Sequence, residues 1–156
     1  MPNRVLFVCM GNICRSPAAE AVLQQAIDRS GLAIEVDSAA THHFQIGNPA
    51  DPRMRAAGQA RGYDLTSIAR QVTREDLAPD RFDWVVAMDR DNLAHLQRLA
   101  PQPATRVLLL SEFLDDSWPE DVPDPYYGGP EGFEEVLDML EAAIPELVRR
   151  ITAESI

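Results

Sequence analysis

Val5-Leu6-Phe7-Val8-Cys9-Met10-Gly11-Asn12-Ile13-Cys14-Arg15-Ser16-Pro17 runs from an apolar stretch through a short loop into a helical pattern. A strand that breaks into a tight loop and then starts a helix directs successive backbone N–H groups, and the positive end of the helix dipole, toward the loop's centre. Such a loop is an anion site, and Arg15 adds a guanidinium beside it. The same field favours a thiolate, so Cys9 at the mouth of the loop reads as an activated nucleophile rather than a packing residue. The thiol and the guanidinium stand at the two ends of one short loop, so a phosphate is expected to sit between them.

Outward from this loop, strand-like and helix-like segments alternate. Arg4 to Val8 reads as a buried strand and Pro17 to about Ser30 as a helix, with Pro17 at the first helical position. Ile34 to Asp37 is a short strand, Asp51 to Arg61 a helix ending at Gly62, Asp83 to Met88 a third strand, Asp91 to Leu99 a helix, and Val107 to Leu110 a fourth strand. Phe133, Val136, Leu137, Leu140, Ile144, Leu147, Val148 and Ile151 mark one face of a long final helix, in which Pro145 is expected to kink or break the chain. Continuous apolar strands separated by helices imply an α/β fold, a parallel sheet with helices on both faces. Ligands of such sheets bind at the carboxyl ends of the strands, where the loop after Val8 departs. The acidic Pro- and Gly-rich stretch from Asp115 to Gly132 is long for a mere connection, which points to function.

Composition narrows the class. At 156 residues and 46% hydrophobic, the chain can bury a real core as a single domain over 1–156. No stretch reaches the ~20 apolar residues that span a bilayer, so membrane insertion is not expected. A net charge of -11 without a Lys/Arg run argues against nucleic acid, and it implies that attraction to phosphate is local, favouring substrates with basic residues beside the phosphate. The two cysteines, Cys9 and Cys14, provide neither a disulfide framework nor a zinc set, which fits a reducing, cytoplasmic setting. Three scattered histidines, His42, His43 and His95, suggest no metal centre, and no cofactor is expected.

The signature Cys-x5-Arg-Ser from Cys9 to Ser16 resembles that of the low-molecular-weight protein tyrosine phosphatases. Asp124-Pro125-Tyr126-Tyr127 is similar to that family's downstream acidic segment. Val36 to Thr41, Ala69 to Thr73 and Met88-Asp89 follow in the family's order. The resemblance implies a four-stranded parallel sheet of the flavodoxin or Rossmann type, and hydrolysis of phosphotyrosine in proteins, and of aryl phosphates, through a cysteinyl-phosphate without metal. Cys9, Arg15 and Asp124 are then the catalytic residues, Asp124 acting first as acid and then as base. The amides of Met10, Gly11, Asn12, Ile13, Cys14 and Arg15, with Ser16, form the phosphate cradle. Asn12, Ser16 and Ser38 support the loop, Asn12 by accepting left-handed backbone angles and Ser16 by bonding the Cys9 sulfur. Phe44 on one side and Tyr126 and Tyr127 on the other wall the slot, and the tyrosines are themselves candidate phosphorylation sites. Cys14 is the redox partner of Cys9. The protein is expected to be a monomer or a weak homo-oligomer.

One position departs from the family: Ser67 stands where many members carry a histidine. Three rival readings are an arsenate reductase, which needs cysteines beyond Cys14; a phosphoarginine phosphatase, whose known members carry threonine in place of Ile13; and a silent phosphate-binding module, which needs neither Cys9 nor Asp124.

Overall fold

The computed structural model describes residues 2–102 and 105–154. Four strands, β1 (Asn3–Cys9), β2 (Ile34–Ala40), β3 (Trp84–Ala87) and β4 (Arg106–Leu109), form one parallel sheet in the order β2-β1-β3-β4. Four helices connect and follow them: α1 (Arg15–Ser30), α2 (Pro52–Ala60), α3 (Arg90–Leu99) and α4 (Pro130–Glu154). β1 lies in the interior of the sheet, with Cys9 registered to Ala40 on one side and Val8 to Ala87 on the other. The chain leaves β1 toward β2 and later returns on the opposite side as β3. The carboxyl ends of β1 and β3 therefore mark the point where strand order reverses, the place where open α/β sheets bind ligands.

Alternation along β1 sorts its side chains between two cores. Val5, Phe7 and Cys9 face a larger core with α1, α2 and α4, whereas Leu6 and Val8 face a smaller one closed by Leu96 of α3 and by Leu77 from a 3₁₀ turn at Arg74–Leu77. Helices thus cover both faces, unequally. β2 runs on to Ala40, three residues past the expected end, because Ala39 and Ala40 are buried beside the loop.

The helix expected from Pro17 begins at Arg15, so the proline occupies the third position instead of the first. It is tolerated there because first-turn N–H groups have no intrahelical acceptor, and Ala18 is the first to donate, to the Cys14 carbonyl at 3.2 Å. Gly31 closes α1 in a left-handed conformation, φ 62°.

Pro145 does not break α4, which is helical from Pro130 through to Glu154. An interior proline costs about 3 kcal/mol. Leu140, Ile144, Leu147 and Ile151, on both sides of it, are each 2% exposed or less. At about 1.5–3 kcal/mol per large buried side chain, their packing outweighs the lost hydrogen bond. Replacing the exposed Pro145 with Ala is accordingly expected to stabilise the protein by about 1–3 kcal/mol, seen as a higher denaturant midpoint at unchanged slope. A lower midpoint would mean that the proline shapes the path of α4.

Candidate active site

The loop between β1 and α1 closes around a single side chain. Asn12 is the one described non-glycine residue with positive φ, 58°, and it is 1% exposed. Its Nδ2 donates to Ser16 Oγ at 2.7 Å and to Ser38 Oγ at 2.9 Å, while its Oδ1 accepts from the Arg70 backbone N–H at 3.1 Å. Asn12 therefore ties the loop to α1, to β2 and to the segment after α2. Its own N–H donates to Cys9 Sγ at 3.3 Å, and Ser16 Oγ lies 3.0 Å from the same sulfur. The sequence assigned Asn12, Ser16 and Ser38 to loop support, and the structure places all three in one network behind the sulfur.

The network extends to a residue that the sequence reading did not pick. Glu20, one turn beyond Ser16 on α1, accepts from Ser38 Oγ at 2.5 Å and also hydrogen-bonds Ser67. Ser67 thus occupies the position where many family members place histidine, still in contact with the network. Burial raises the Glu20 carboxyl above its ordinary value; the Ser38 bond opposes this and nearby Asp37 adds to it. Its spacing from Ser16 is the signal that was available, because residues i and i+4 share a helix face.

Arg15 is 3% exposed, and its Nη1 donates to Asp89 Oδ2 at 2.6 Å and to the Val122 carbonyl at 3.0 Å. Its Nη2 lies 3.8 Å from Asp124 Oδ2. Burial favours losing the guanidinium's proton, but Cys9, Asp89 and Asp124 outweigh it and hold the pKa above the usual value. Asp89 follows β3, so Arg15 spans the carboxyl ends of the two central strands. Asp124 Oδ1 accepts from the Tyr126 N–H at 3.1 Å, a local turn that holds the carboxylate between Pro123 and Pro125.

These groups open into one cavity of about 280 Å³. Cys9, Cys14 and Arg15 line it with Met10, Gly11 and Ile13 of the loop; Phe44 and Gln45 stand at one side, and Asp124, Tyr126 and Tyr127 at the other. The wall residues are the exposed ones: Phe44 is 64% accessible and Tyr127 93%. His42 stacks on Phe44 with ring centroids 5.3 Å apart, and Arg53, paired with Asp51, lies over the Tyr126 ring at 5.3 Å. His42 and Arg53 therefore prop the two walls. Arg70 is committed to Asp37 and Asp76, each at 3.0 Å, and does not line the cavity. A larger hollow of about 650 Å³ beside Leu77 and Pro101 carries no nucleophile. Among the described residues no three His, Cys, Asp or Glu side chains are placed to hold a metal ion, and no helix is long and apolar enough to cross a membrane.

The family model for low molecular weight phosphotyrosine protein phosphatases matches residues 4–155. The chain belongs to that family. It is 45% identical to a low molecular weight protein-tyrosine-phosphatase of Streptomyces coelicolor, over 97% of this chain and 94% of the relative. A protein tyrosine phosphatase from Entamoeba histolytica superposes with a TM-score of 0.91 at 41% identity, covering 99% of both chains. The Drosophila arginine phosphatase superposes with a TM-score of 0.87 at 29% identity, over 94% of this chain and 96% of the other. Membership makes this chain a phosphatase of the low-molecular-weight protein-tyrosine class, a hydrolase of phosphoric monoesters.

Two outcomes follow from the network behind the sulfur. Asn12→Ala forces alanine into left-handed backbone and leaves the Ser16 and Ser38 hydroxyls without their donor; it is expected to cost about 2–5 kcal/mol in chemical denaturation. Glu20→Gln keeps an acceptor for Ser38 and removes the ionisation. A carboxyl whose folded pKa is raised contributes stability that is lost as pH rises from the ordinary carboxyl range through the folded value. The glutamine variant should therefore gain melting temperature relative to wild type over that rise, and a constant difference from pH 4 to pH 7 would contradict it.

Proposed function

We propose that this phosphatase hydrolyses phosphotyrosine in protein substrates with Cys9 as nucleophile, Arg15 as phosphate clamp and Asp124 as general acid and base, within one phosphatase domain. The observation that carries the reading is the convergence of the Cys9 sulfur, the Arg15 guanidinium and the Asp124 carboxylate on one aromatic-walled cavity. In the first step Cys9 Sγ attacks phosphorus, the bond from phosphorus to the tyrosyl oxygen breaks, and Asp124 protonates the departing oxygen. In the second, Asp124 takes a proton from water, the water oxygen attacks phosphorus, and the S–P bond breaks to release phosphate and the Cys9 sulfur.

Charge on the three equatorial oxygens is met by the loop N–H groups, by the dipole of α1 and by Arg15. With Arg15 Nη1 engaged by Asp89 and Val122, the Nε–Nη2 edge remains for a bidentate grip on phosphate. The hydrogen bonds from Ser16 and Asn12 to the Cys9 sulfur support it first as nucleophile and then as leaving group. Phe44, Tyr126 and Tyr127 flank a phenyl ring and leave a shorter phosphoserine stranded above the sulfur. A net charge of -11 directs selection toward peptides with basic residues beside the phosphotyrosine.

Cys14 is proposed as the redox partner. Burial, Asp51 and Cys9 push its thiol well above the ordinary range, so it does not compete for phosphate. After peroxide converts Cys9 to a sulfenic acid, condensation with the Cys14 thiol gives a disulfide and water, and a dithiol restores both. Two free cysteines suit a reducing, cytoplasmic compartment.

The likeness to the arginine phosphatase gives a second reading, phosphoarginine hydrolysis. Against it, Ile13 presents only apolar groups to the cavity where the known phosphoarginine phosphatases carry threonine. Phosphate release from paired phosphotyrosine and phosphoarginine peptides, with no added metal, separates them. The phosphotyrosine reading expects tyrosyl release, lost at least ~10³-fold in Cys9→Ser and ~10²-fold or more in Asp124→Asn, with both variants folded. Release from phosphoarginine alone, or undiminished turnover in Cys9→Ser, would overturn it.

A further inference from the structure

Asp124 sits in the irregular segment between the 3₁₀ turn at Leu110–Phe113 and α4, and the segment is fastened immediately before it. Asp121 Oδ1 accepts from the backbone N–H of Arg90 at 3.0 Å and from its Nε at 3.2 Å, and Asp121 Oδ2 accepts from Nη2 at 3.1 Å. Arg90 is the first residue of α3, so Asp121 both satisfies a first-turn N–H and meets the guanidinium side-on. Glu120 Oε2 lies 3.6 Å from Arg90 Nη1. The next residue is tied as well: Val122 donates its N–H to the Met88 carbonyl at 3.0 Å and accepts from Arg15 Nη1 at 3.0 Å. Two residues on stands Asp124, between prolines whose fixed φ transmits the direction of the fastened chain.

We propose that Arg90, through its pair with Asp121, is a positioning residue for Asp124, holding the acid-bearing segment against the start of α3 at the height where its carboxyl reaches the leaving oxygen. The proposal rests on Asp124 as the general acid. Arg90 is 64% exposed and Asp121 37%, and pairs this accessible add little to global stability. Their value lies in placing one carboxyl, because proton transfer demands hydrogen-bond reach to the oxygen. Arg90 also holds the Asp121 carboxyl below its ordinary value, so the pair persists into acid conditions.

The test is the dependence of kcat/KM on leaving-group basicity over a series of aryl phosphates from p-nitrophenyl phosphate to phenyl phosphate. A good leaving group needs little help from the acid and a poor one needs much. Arg90→Ala and Asp121→Asn are expected to lower kcat/KM about 10-fold on phenyl phosphate and less than about 3-fold on p-nitrophenyl phosphate, at nearly unchanged melting temperature. Arg90→Lys, which keeps the charge and the backbone N–H, should fall between wild type and Arg90→Ala. Mere loss of folded protein lowers all substrates alike and would overturn the proposal, as would an unchanged series. Asp124→Asn run in parallel separates the two levels: a steep series there with a flat one in Arg90→Ala refutes the positioning role alone, whereas a flat series in Asp124→Asn refutes Asp124 as the acid and the proposal with it.

Discussion

The site depends on one side chain held in an unfavourable backbone conformation. Asn12 turns the loop after β1 at φ 58°, and its amide repays that turn by donating to Ser16 and Ser38 and accepting from Arg70. Asparagine suits the position because its short amide tolerates left-handed angles and offers donor and acceptor together. Because these partners come from α1, from β2 and from the strap after α2, the loop cannot relax without disturbing three parts of the fold. The Cys9 sulfur inherits that rigidity through Ser16 and through the Asn12 N–H.

A second constraint acts across the sheet. Arg15 is almost wholly buried and is kept charged by Cys9, Asp89 and Asp124. Its grip on Asp89 joins the ends of β1 and β3, and its grip on the Val122 carbonyl brings in the segment that carries Asp124. One guanidinium thus ties the loop that carries Cys9 to the segment that carries Asp124. Each member of the pair with Asp89 has a further partner, the Val122 carbonyl for Arg15 and the Asn92 N–H for Asp89, and such added hydrogen bonds are what make a buried ion pair tolerable.

Much of this was legible in the sequence because it is written locally. The apolar run Val5 to Val8, the tight loop and the helical pattern after it identify strand, anion site and helix within a few residues, and the final helix shows its periodicity plainly. What escaped depends on distance in the chain. Glu20 shares a helix face with Ser16, but only the approach of β2 carrying Ser38 gives it a role. Asp89 was visible within Met88-Asp89, yet its partner Arg15 lies 74 residues earlier. Pro145 was read through local propensity, and tertiary packing of Leu140, Ile144 and Leu147 overrode it. Nothing local in the sequence tells what Arg53 and Arg70 hold; only the fold shows that Arg53 props Tyr126 and that Arg70 braces Asp37 and Asp76.

The central claim is that this braced loop delivers the Cys9 sulfur to phosphorus. Rapid acid quench of the protein mixed with a phosphotyrosine peptide, followed by mass-spectrometric mapping, tests it most directly. One phosphoryl group on the peptide containing Cys9, localised to its sulfur and decaying as phosphate is released, is the expected result. Turnover with no phosphoryl-enzyme at any quench time, or with the phosphoryl group on another residue, would contradict the account.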